Sequence, residues 1–594
     1  MRINRKSLLL LLPLLVVAPF VGMTAWGQSA GITFDTSDNY REKLFIITDR
    51  EIYITGEQVR VKVYEMDELS CLPVGFSKIV YFEMLNAGNN PVRQARIRVE
   101  GTSGSAVFRL SDTLSSGNYL LRAYTSWMEN FPENHFSYTT ITVINPFKDL
   151  NDLVTQIAGQ VNGNGLSYVE SNELTCREAT DDQIKIAAST DRKKYGMRDR
   201  VKLDISVAGT DGRPVEANLS VSVVKSYLAG TDRKYLFAGQ ASDGSVSDPF
   251  GSGSHLPELE GELIRGVIFN RITNQPLRET DISLSFVGKT ARCQFTRTNA
   301  KGEFIFVVKD QDGLAEIVIQ PLIPDISGSY VELHQPFCNT YYGFSPPVFM
   351  PDSILAAKLN NAVIAMQVNN NYEQVIDKSA APVAFKTIDF FGGSDHTVDM
   401  SDYIELSNIR EVVKEILPEV TLFTKDKKAA LKVVSSNPYQ IFNNPALVLF
   451  DGVPVYDIEE LMKVSAKDLE RIEIINTRYF YSDYIFEGII SFISKEGMLN
   501  AIESSSSVLR QVYEGCLKDE IFYSPDYRND SVRLGRIPDF RNTLYWNPDV
   551  ATSANGAAAV KFCTSDEAME YTVIIEGFTS EGTRLQYTAP LQVN

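Results

Sequence analysis

The chain has 594 residues, and its 44% hydrophobic and 22% charged content is that of a packed globular protein, which excludes wholesale disorder. At about 150 residues per domain it holds roughly four domains. Seventy-five acidic against 57 basic residues leave a formal charge of −18, the wrong sign for a surface that binds phosphate backbones, so nucleic acid is not an expected partner.

At the N-terminus Arg2, Arg5 and Lys6 precede an apolar stretch over residues 8–21 and then Ala25-Trp26-Gly27. This is the charged, apolar and small-residue order of a secretory signal, with cleavage expected after Gly27. The apolar stretch is shorter than the ~20 residues that span a bilayer, and Pro13 and Pro19 interrupt it. No cysteine near the cleavage point offers a lipid attachment, and no later segment reads as a membrane-spanning helix. Export permits disulfides. The six cysteines (Cys71, Cys176, Cys293, Cys338, Cys516, Cys563) are mostly far apart, so free thiols and one or two bridges are equally open. None forms a CxxC pair, and His135, His255, His334 and His396 are isolated, so no metal and no cofactor are expected.

Residues 43–145 read as short alternating segments punctuated by Gly, Asn and Pro. Val59, Val61 and Val63 alternate with Arg60, Lys62 and Tyr64, giving one apolar and one wet face, and strands at this spacing predict an antiparallel sandwich over 35–147. Thr48-Asp49-Arg50, Tyr53, Val59, Val61 and Val63 return as Thr190-Asp191-Arg192, Tyr195, Val201, Leu203 and Ile205, a constant offset of 142 from Thr48 to Thr190. A repeat of this kind predicts a second, similar sandwich over 180–250. Asp211-Gly212 predicts a hairpin between strands at 203–207 and 218–224. Asp49, Arg50 and Tyr53 are read as a turn-fixing, sheet-packing set.

Thr48-Asp49-Arg50-x-x-Tyr53-x-x-Gly56-Glu57-x-Val59 and Gly117-Asn118-Tyr119-x-Leu121-Arg122-Ala123-Tyr124 resemble strands of the macroglobulin-type domains of alpha-2-macroglobulins. That family's protease traps carry a thioester in a Cys-Gly-Glu-Gln segment. Here Cys516 is followed by Leu517-Lys518-Asp519, so thioester chemistry does not carry over.

After a Gly/Ser/Pro-rich boundary at 247–256, residues 260–345 run strand, Pro turn, strand, Asn/Gly turn, strand. This order resembles the small carboxypeptidase-regulatory-like β-sandwich of exported Gram-negative proteins, which implies a spacer or attachment unit. Ile354, Leu355, Leu359, Val363 and Met366 recur at helical spacing after Pro351 and predict a linking helix over 351–378.

Leu406, Ile409, Val412, Val413 and Ile416 give a short amphipathic helix stopped by Pro418. A strand then ends in Asp451-Gly452-Val453-Pro454, a helical turn follows at 458–463, Ser465-x-x-Asp468 reads as a variant capping box, and strands follow at 469–475 and 488–497. This order resembles the plug domain of TonB-dependent outer-membrane receptors over residues 385–500, a small α/β fold. The family's glycine-bearing loop is replaced by Thr477-Arg478-Tyr479-Phe480-Tyr481-Ser482-Asp483-Tyr484. Only 97 residues follow Gly497, too few for a receptor barrel built of strands of about 9–11 residues with their turns, so the chain is not expected to be a transporter.

The tail, 505–594, predicts a final small sandwich with Trp546 as its core anchor, Tyr571-Thr572-Val573-Ile574-Ile575 as a strand and a hairpin loop at 579–582. The fold class expected is therefore mainly β, tandem antiparallel β-sandwich (macroglobulin- or Ig-like) domains with one small α/β plug-like domain.

Tyr479, Phe480, Tyr481 and Tyr484, with Phe486, form the densest aromatic cluster. They are candidate partner contacts, because Tyr is enriched at interface hot spots, but packing against the neighbouring sandwich is the favoured reading. Asp451 and Asp457 are candidate acid/base groups, but Asp451 sits at a turn where Asp is common, and no Ser-His-Asp signature, HExxH or phosphate-cradling loop stands out. The expectation is a non-catalytic exported binding or scaffold protein of a Gram-negative envelope, periplasmic or associated with the outer membrane, and docking on a protein partner such as an outer-membrane β-barrel. A macroglobulin-like protease-interacting protein and a glycan-binding surface protein are the alternatives.

Overall fold

The computed structural model describes residues 41–148, 184–230, 255–322, 328–341, 351–376, 388–425, 428–435, 442–500, 508–528 and 535–594. The export signal expected at 1–27 lies outside these residues, as does Cys176. The chain is mainly β. Three two-layer sandwiches and one mixed α/β module follow one another, but the later ones are nested inside the earlier ones.

The first sandwich, within 41–148, packs a three-stranded sheet (Glu42–Thr48, Gln58–Asp67, Ser103–Arg109) on a five-stranded one (Ile52–Ile54, Ile79–Leu85, Pro91–Arg98, Gly117–Tyr124, Ser137–Ile144). The alternation read at Val59, Val61 and Val63 is its core face, all three fully buried with Phe82, Tyr53 and Leu121. Each such side chain removed from water contributes about 1.5–3 kcal/mol.

The second sandwich is built from two distant pieces. Strands Ile184–Thr190 and Arg200–Gly209 pair with Ala557–Cys563, while Ala217–Lys225 lies between Thr543–Ala551 and Glu570–Thr579, with Arg584–Gln592 at the edge. The tail expected to be a separate sandwich at 505–594 instead supplies four strands to the domain begun at 184. The physical reason is burial: Val201, Leu203 and Ile205, and likewise Val221 and Val223, need a facing layer, and Leu544, Val560, Val573 and Ile575 supply it. Trp546 is buried, but it packs on Phe45, Tyr64 and Phe578, where the first and second sandwiches meet. The Asp211-Gly212 turn forms, with Gly212 at φ 76°, yet the strands it joins pair only at the Ala208–Pro214 bridge before entering opposite sheets. The hairpin loop expected at 579–582 forms between its two strands.

The third sandwich holds Glu262–Asn270, Asp281–Phe286, Arg292–Arg297, Glu303–Val308, Leu314–Pro321 and Ser329–Leu333 in two sheets. Leu509–Glu514, from beyond the α/β module, closes one of them against Leu314–Pro321. The linking helix runs Ser353–Ile376; Leu359, Ala362 and Met366 are buried against Ile52, Ile54 and Leu228 with Leu355 and Val363 partly buried beside them, so the stripe is core contact except at Ile354, which stays exposed. The α/β module (388–500) has a five-stranded mixed sheet, ordered His396–Asp399, Leu469–Tyr481, Tyr484–Ser494, Leu447–Phe450, Val453–Pro454, with helices Ile409–Glu415 and Ile458–Leu461. Asn408 and Asp457 cap those helices by accepting from the amides of Glu411 and Glu460. The module therefore sits inside the third sandwich, and the third sandwich inside the second.

Candidate docking surface

The ribbon Leu469–Tyr481/Tyr484–Ser494 carries the aromatic cluster. Residues 477–484, read from the sequence as a loop, continue both strands instead. The run is rich in aromatic and β-branched residues that favour extended backbone, and it reverses only at Ser482, whose φ is 49°. Side chains alternate across the ribbon, so the register Tyr479↔Phe486, Phe480↔Ile485, Tyr481↔Tyr484 sorts the cluster into two faces.

Tyr479, Tyr481, Tyr484 and Phe486 face the third sandwich. The Phe295 ring lies 5.4 Å from Tyr481, 5.7 Å from Tyr484 and 5.1 Å from Phe486, and Phe390 lies 5.7 Å from Tyr479. The Tyr479 hydroxyl donates to the Phe390 carbonyl at 2.5 Å, and Tyr484 donates to Asp281 Oδ1 at 3.0 Å. Partial burial and that bond to Asp281 raise the Tyr484 hydroxyl above its ordinary range. The opposite face presents Phe480, 66% exposed, beside Ile485, 60% exposed, with the Arg478–Glu487 pair (3.0 Å) behind them. Three of the four aromatic candidates thus anchor the ribbon, and one, Phe480, meets solvent together with Ile485, which sequence reading missed. The period-2 alternation was the available signal for it.

Asp451 is fully buried, with φ 46°. Its Oδ1 accepts from the Ser494 amide (2.7 Å), and its Oδ2 accepts from the Ser494 hydroxyl (2.8 Å) and the Leu499 amide (2.9 Å). The same turn docks on the third sandwich: Gly288 N donates to the Asp451 carbonyl at 3.0 Å, Cys293 Sγ to the Gly452 carbonyl at 2.9 Å, and Gln320 Nε2 to the Pro454 carbonyl at 2.7 Å. A Cβ on Gly452 would stand 3.1 Å from the Phe286 carbonyl, so glycine permits the approach. Asp451 and Asp457 are thereby occupied as turn and cap groups.

A cleft of about 950 Å³ separates the first and third sandwiches. Arg96 pairs with Glu262 at 2.7 Å, both buried, and Tyr513 donates to the same carboxylate. Beside it Tyr81 donates to Glu258 at 3.0 Å, and Arg265 donates to the Ser126 hydroxyl at 2.9 Å. Burial pushes the Glu258 carboxyl up to about 8 and that of Glu129 up to about 7, and it lowers His255. These residues come from four separated stretches of chain, so no local motif announced them. The network joins two sandwiches through buried charge. Among the described residues no group of three His, Cys, Asp or Glu side chains is placed to hold a metal ion, and the five described cysteines are free thiols.

No family model and no curated protein matches the chain. Among solved structures it aligns with Salmonella alpha-2-macroglobulin reacted with methylamine (8% identity, 93% of this chain and 39% of that one, TM-score 0.23). It also aligns with Escherichia coli alpha-2-macroglobulin activated by porcine elastase (9%, 93% and 44%, TM-score 0.23) and with the native Escherichia coli form (9%, 94% and 40%, TM-score 0.24). The chain spans about two fifths of the length of these structures. Alignment at these scores does not assign it to their family.

Proposed function

We propose that the chain is a non-catalytic exported scaffold protein of a Gram-negative envelope, docking on an outer-membrane protein complex through its α/β module while the sandwiches set its reach. The observation that carries this is the Phe480–Ile485 pair. Two large apolar side chains stand exposed on a ribbon whose other face packs Tyr479, Tyr481, Tyr484 and Phe486 against Phe295 and Phe390, and a rigid apolar tip of this kind suits an interface anchor. The plug-like reading of 385–500 rests on the Asp451-Gly452-Val453-Pro454 turn and the two long strands in order. Export rests on the signal at 1–27. The non-catalytic reading is supported by the occupied carboxylates of Asp451 and Asp457. It is also supported by Cys293 and Cys516, whose thiols burial pushes up to about 12, far from nucleophilic thiolates. Among the described residues no helix is long and apolar enough to cross a membrane.

The test is affinity capture of the tagged mature protein from outer-membrane fractions. An outer-membrane β-barrel protein is expected to co-purify with the wild type. Phe480→Asp with Ile485→Asp is expected to cut that capture about tenfold or more while leaving the unfolding curve within about 0.5 kcal/mol. Absence of any barrel protein, or capture indifferent to the double variant, rejects the proposal. Loss of protease activity on incubation with the pure protein favours the protease-interacting alternative instead.

A further inference from the structure

The third sandwich is open along one side. Its strand Ser329–Leu333 pairs only with Glu262–Asn270, and its strand Leu509–Glu514 only with Leu314–Pro321, so each ends its sheet there. Both edges border the cleft of about 950 Å³ against the first sandwich. Val331 and Leu333 line it from one edge, and Leu509, Gln511 and Tyr513 from the other.

The backbones of the two edges are used differently. At Leu509–Glu514 the edge is tied to the first sandwich, because the Glu514 carbonyl accepts from Arg96 Nη1 at 2.7 Å. Ser329–Leu333 has no such tie at its centre. In an antiparallel ladder each residue turns both its N–H and its C=O either toward the partner strand or away from it, in alternation. Two bonds set the phase here: the Arg271 amide donates to the Gly328 carbonyl at 2.7 Å, and the His334 amide donates to the Arg265 carbonyl at 2.9 Å. Residues 328 and 334 therefore face the partner strand, and Val331 and Leu333 face away from it. Among the described residues nothing bonds to the two outward amides and two outward carbonyls. Both residues are half-buried, not sealed, and the strand contains neither Pro nor a register shift, either of which would spoil an edge for pairing.

The cleft also specifies what such a strand would carry. Residues directly opposite in an antiparallel pair send their side chains to the same face. The side chains of Val331 and Leu333 lie on the core side, beside Phe304, Leu509 and Tyr513, so guest residues opposite them meet an apolar wall. The formal charges of the lining cancel, with Arg96, Arg265 and Lys301 against Glu129, Glu262 and Glu303, so the cleft favours an uncharged guest.

We infer that this open edge takes an extended, uncharged peptide segment of a partner protein as an added strand, apolar at alternate positions. The guest runs antiparallel, as every strand pair of this sandwich does. Its carbonyls accept from the amides of Val331 and Leu333, its amides donate to their carbonyls, and main-chain bonds give the affinity while the apolar wall selects the side chains. The site lies apart from the Phe480–Ile485 tip and does not rest on docking there.

The experiment is calorimetric titration of the full mature protein with acetyl-Ser-Val-Thr-Leu-Ser-Val-Thr-amide and two N-methylated forms of it. The unmodified peptide is expected to bind saturably with a Kd of about 100 µM or below. Methylating the amides of its Val and Leu residues, which face Val331 and Leu333, is expected to weaken binding about tenfold or more. Methylating those of its Ser and Thr residues, which face away, is expected to leave the affinity within about twofold. Val331→Pro removes an outward N–H without touching the ladder, and Gln511→Trp, at an exposed position on the facing strand, fills the space the guest needs; each is expected to weaken binding about tenfold. Circular dichroism shows whether each variant is folded, and Gln511→Trp decides alone if Val331→Pro is not. No saturable binding of the unmodified peptide, equal binding of the two methylated forms, or loss on methylating Ser and Thr instead overturns the inference. A wild type that is dimeric in solution and monomeric as Val331→Pro gives the edge to a second copy of this chain and overturns the assignment to a partner's peptide.

Discussion

The Tyr53 hydroxyl donates to Asp49 Oδ1 at 2.7 Å, and 142 residues later Tyr195 donates to Asp191 Oδ1 at the same distance. In both corners the aspartate also accepts the amide of the next strand, from Arg60 at 3.2 Å and Lys202 at 2.9 Å, and the arginine covers the tyrosine ring at 4.6 and 4.7 Å. The copies differ in what surrounds them. Asp49 is fully buried and its Oδ2 accepts from Thr543, tying the first sandwich to the second, whereas the Asp191 side chain is 40% exposed. Tyr53→Phe is therefore expected to cost about 1–3 kcal/mol, the range for depriving a buried charged acceptor, and Tyr195→Phe about 0.5–1.5 kcal/mol. Urea unfolding of the two variants decides it; equal losses would refute the distinction.

Nesting makes a sharper prediction. Ala217–Lys225 pairs on both sides with strands beyond residue 543, and Leu314–Pro321 is paired on one side by Leu509–Glu514. A chain ending at residue 508 should therefore lose two sandwiches at once, exposing Val221 and Val223 and half the core around Leu203. Proteolysis of the truncated protein is expected to leave the regions 41–148 and 388–500 resistant, the second because its sheet and core lie within those residues, and the rest cleaved. Survival of 184–333 as a stable fragment would contradict this topology.

Strand positions were legible because each buried face repeats every second residue, as at Val59, Val61 and Val63. Partnership was not. Tyr571-Thr572-Val573-Ile574-Ile575 advertises a strand, but nothing local says that Ile575 lies opposite Val221, 354 positions earlier. The same holds for Asp211-Gly212, where the turn chemistry is right and the flanking strands still diverge, because each finds more apolar area to cover elsewhere. In the ribbon, Tyr479, Tyr481 and Tyr484 were legible as an aromatic cluster. Their separation from Phe480 follows from alternation once the segment is known to be a strand and not a loop.

The cleft between the first and third sandwiches gives stability a pH dependence. Glu258 is 1% exposed, and burial raises its carboxyl from the usual 4.5 to about 8. Folded protein keeps this proton up to about pH 8, while the unfolded chain releases it near 4.5. Unfolding in that window sheds a proton, so this contribution is fully present below pH 4.5 and is lost as pH rises toward 8, at up to about 1.4 kcal/mol per pH unit. Glu129, raised to about 7, acts in the same direction. The Tm is expected to fall between about pH 4.5 and 8, and Glu258→Gln, a neutral isostere, to flatten the fall. A pH profile unchanged by that substitution would remove Glu258 from the explanation.

Asp451 is where the α/β module is both closed and attached. Its carboxylate takes three hydrogen bonds from Ser494 and Leu499, while the carbonyls of Asp451, Gly452 and Pro454 receive donors from the third sandwich. Asp451→Ala strands three buried donors and forces a Cβ residue without a polar side chain into the left-handed region, and is expected to cost roughly 3–5 kcal/mol. Asp451→Asn keeps an acceptor and tolerates that backbone region, so it is expected to lose about half as much. Because strand Leu509–Glu514 leaves the module to complete the third sandwich, the loss should spread beyond the module's own residues. Hydrogen exchange is then expected to accelerate at 447–494 and at 314–321 together in Asp451→Ala. Acceleration confined to 447–494 would show that the module opens without disturbing the sandwich that holds it.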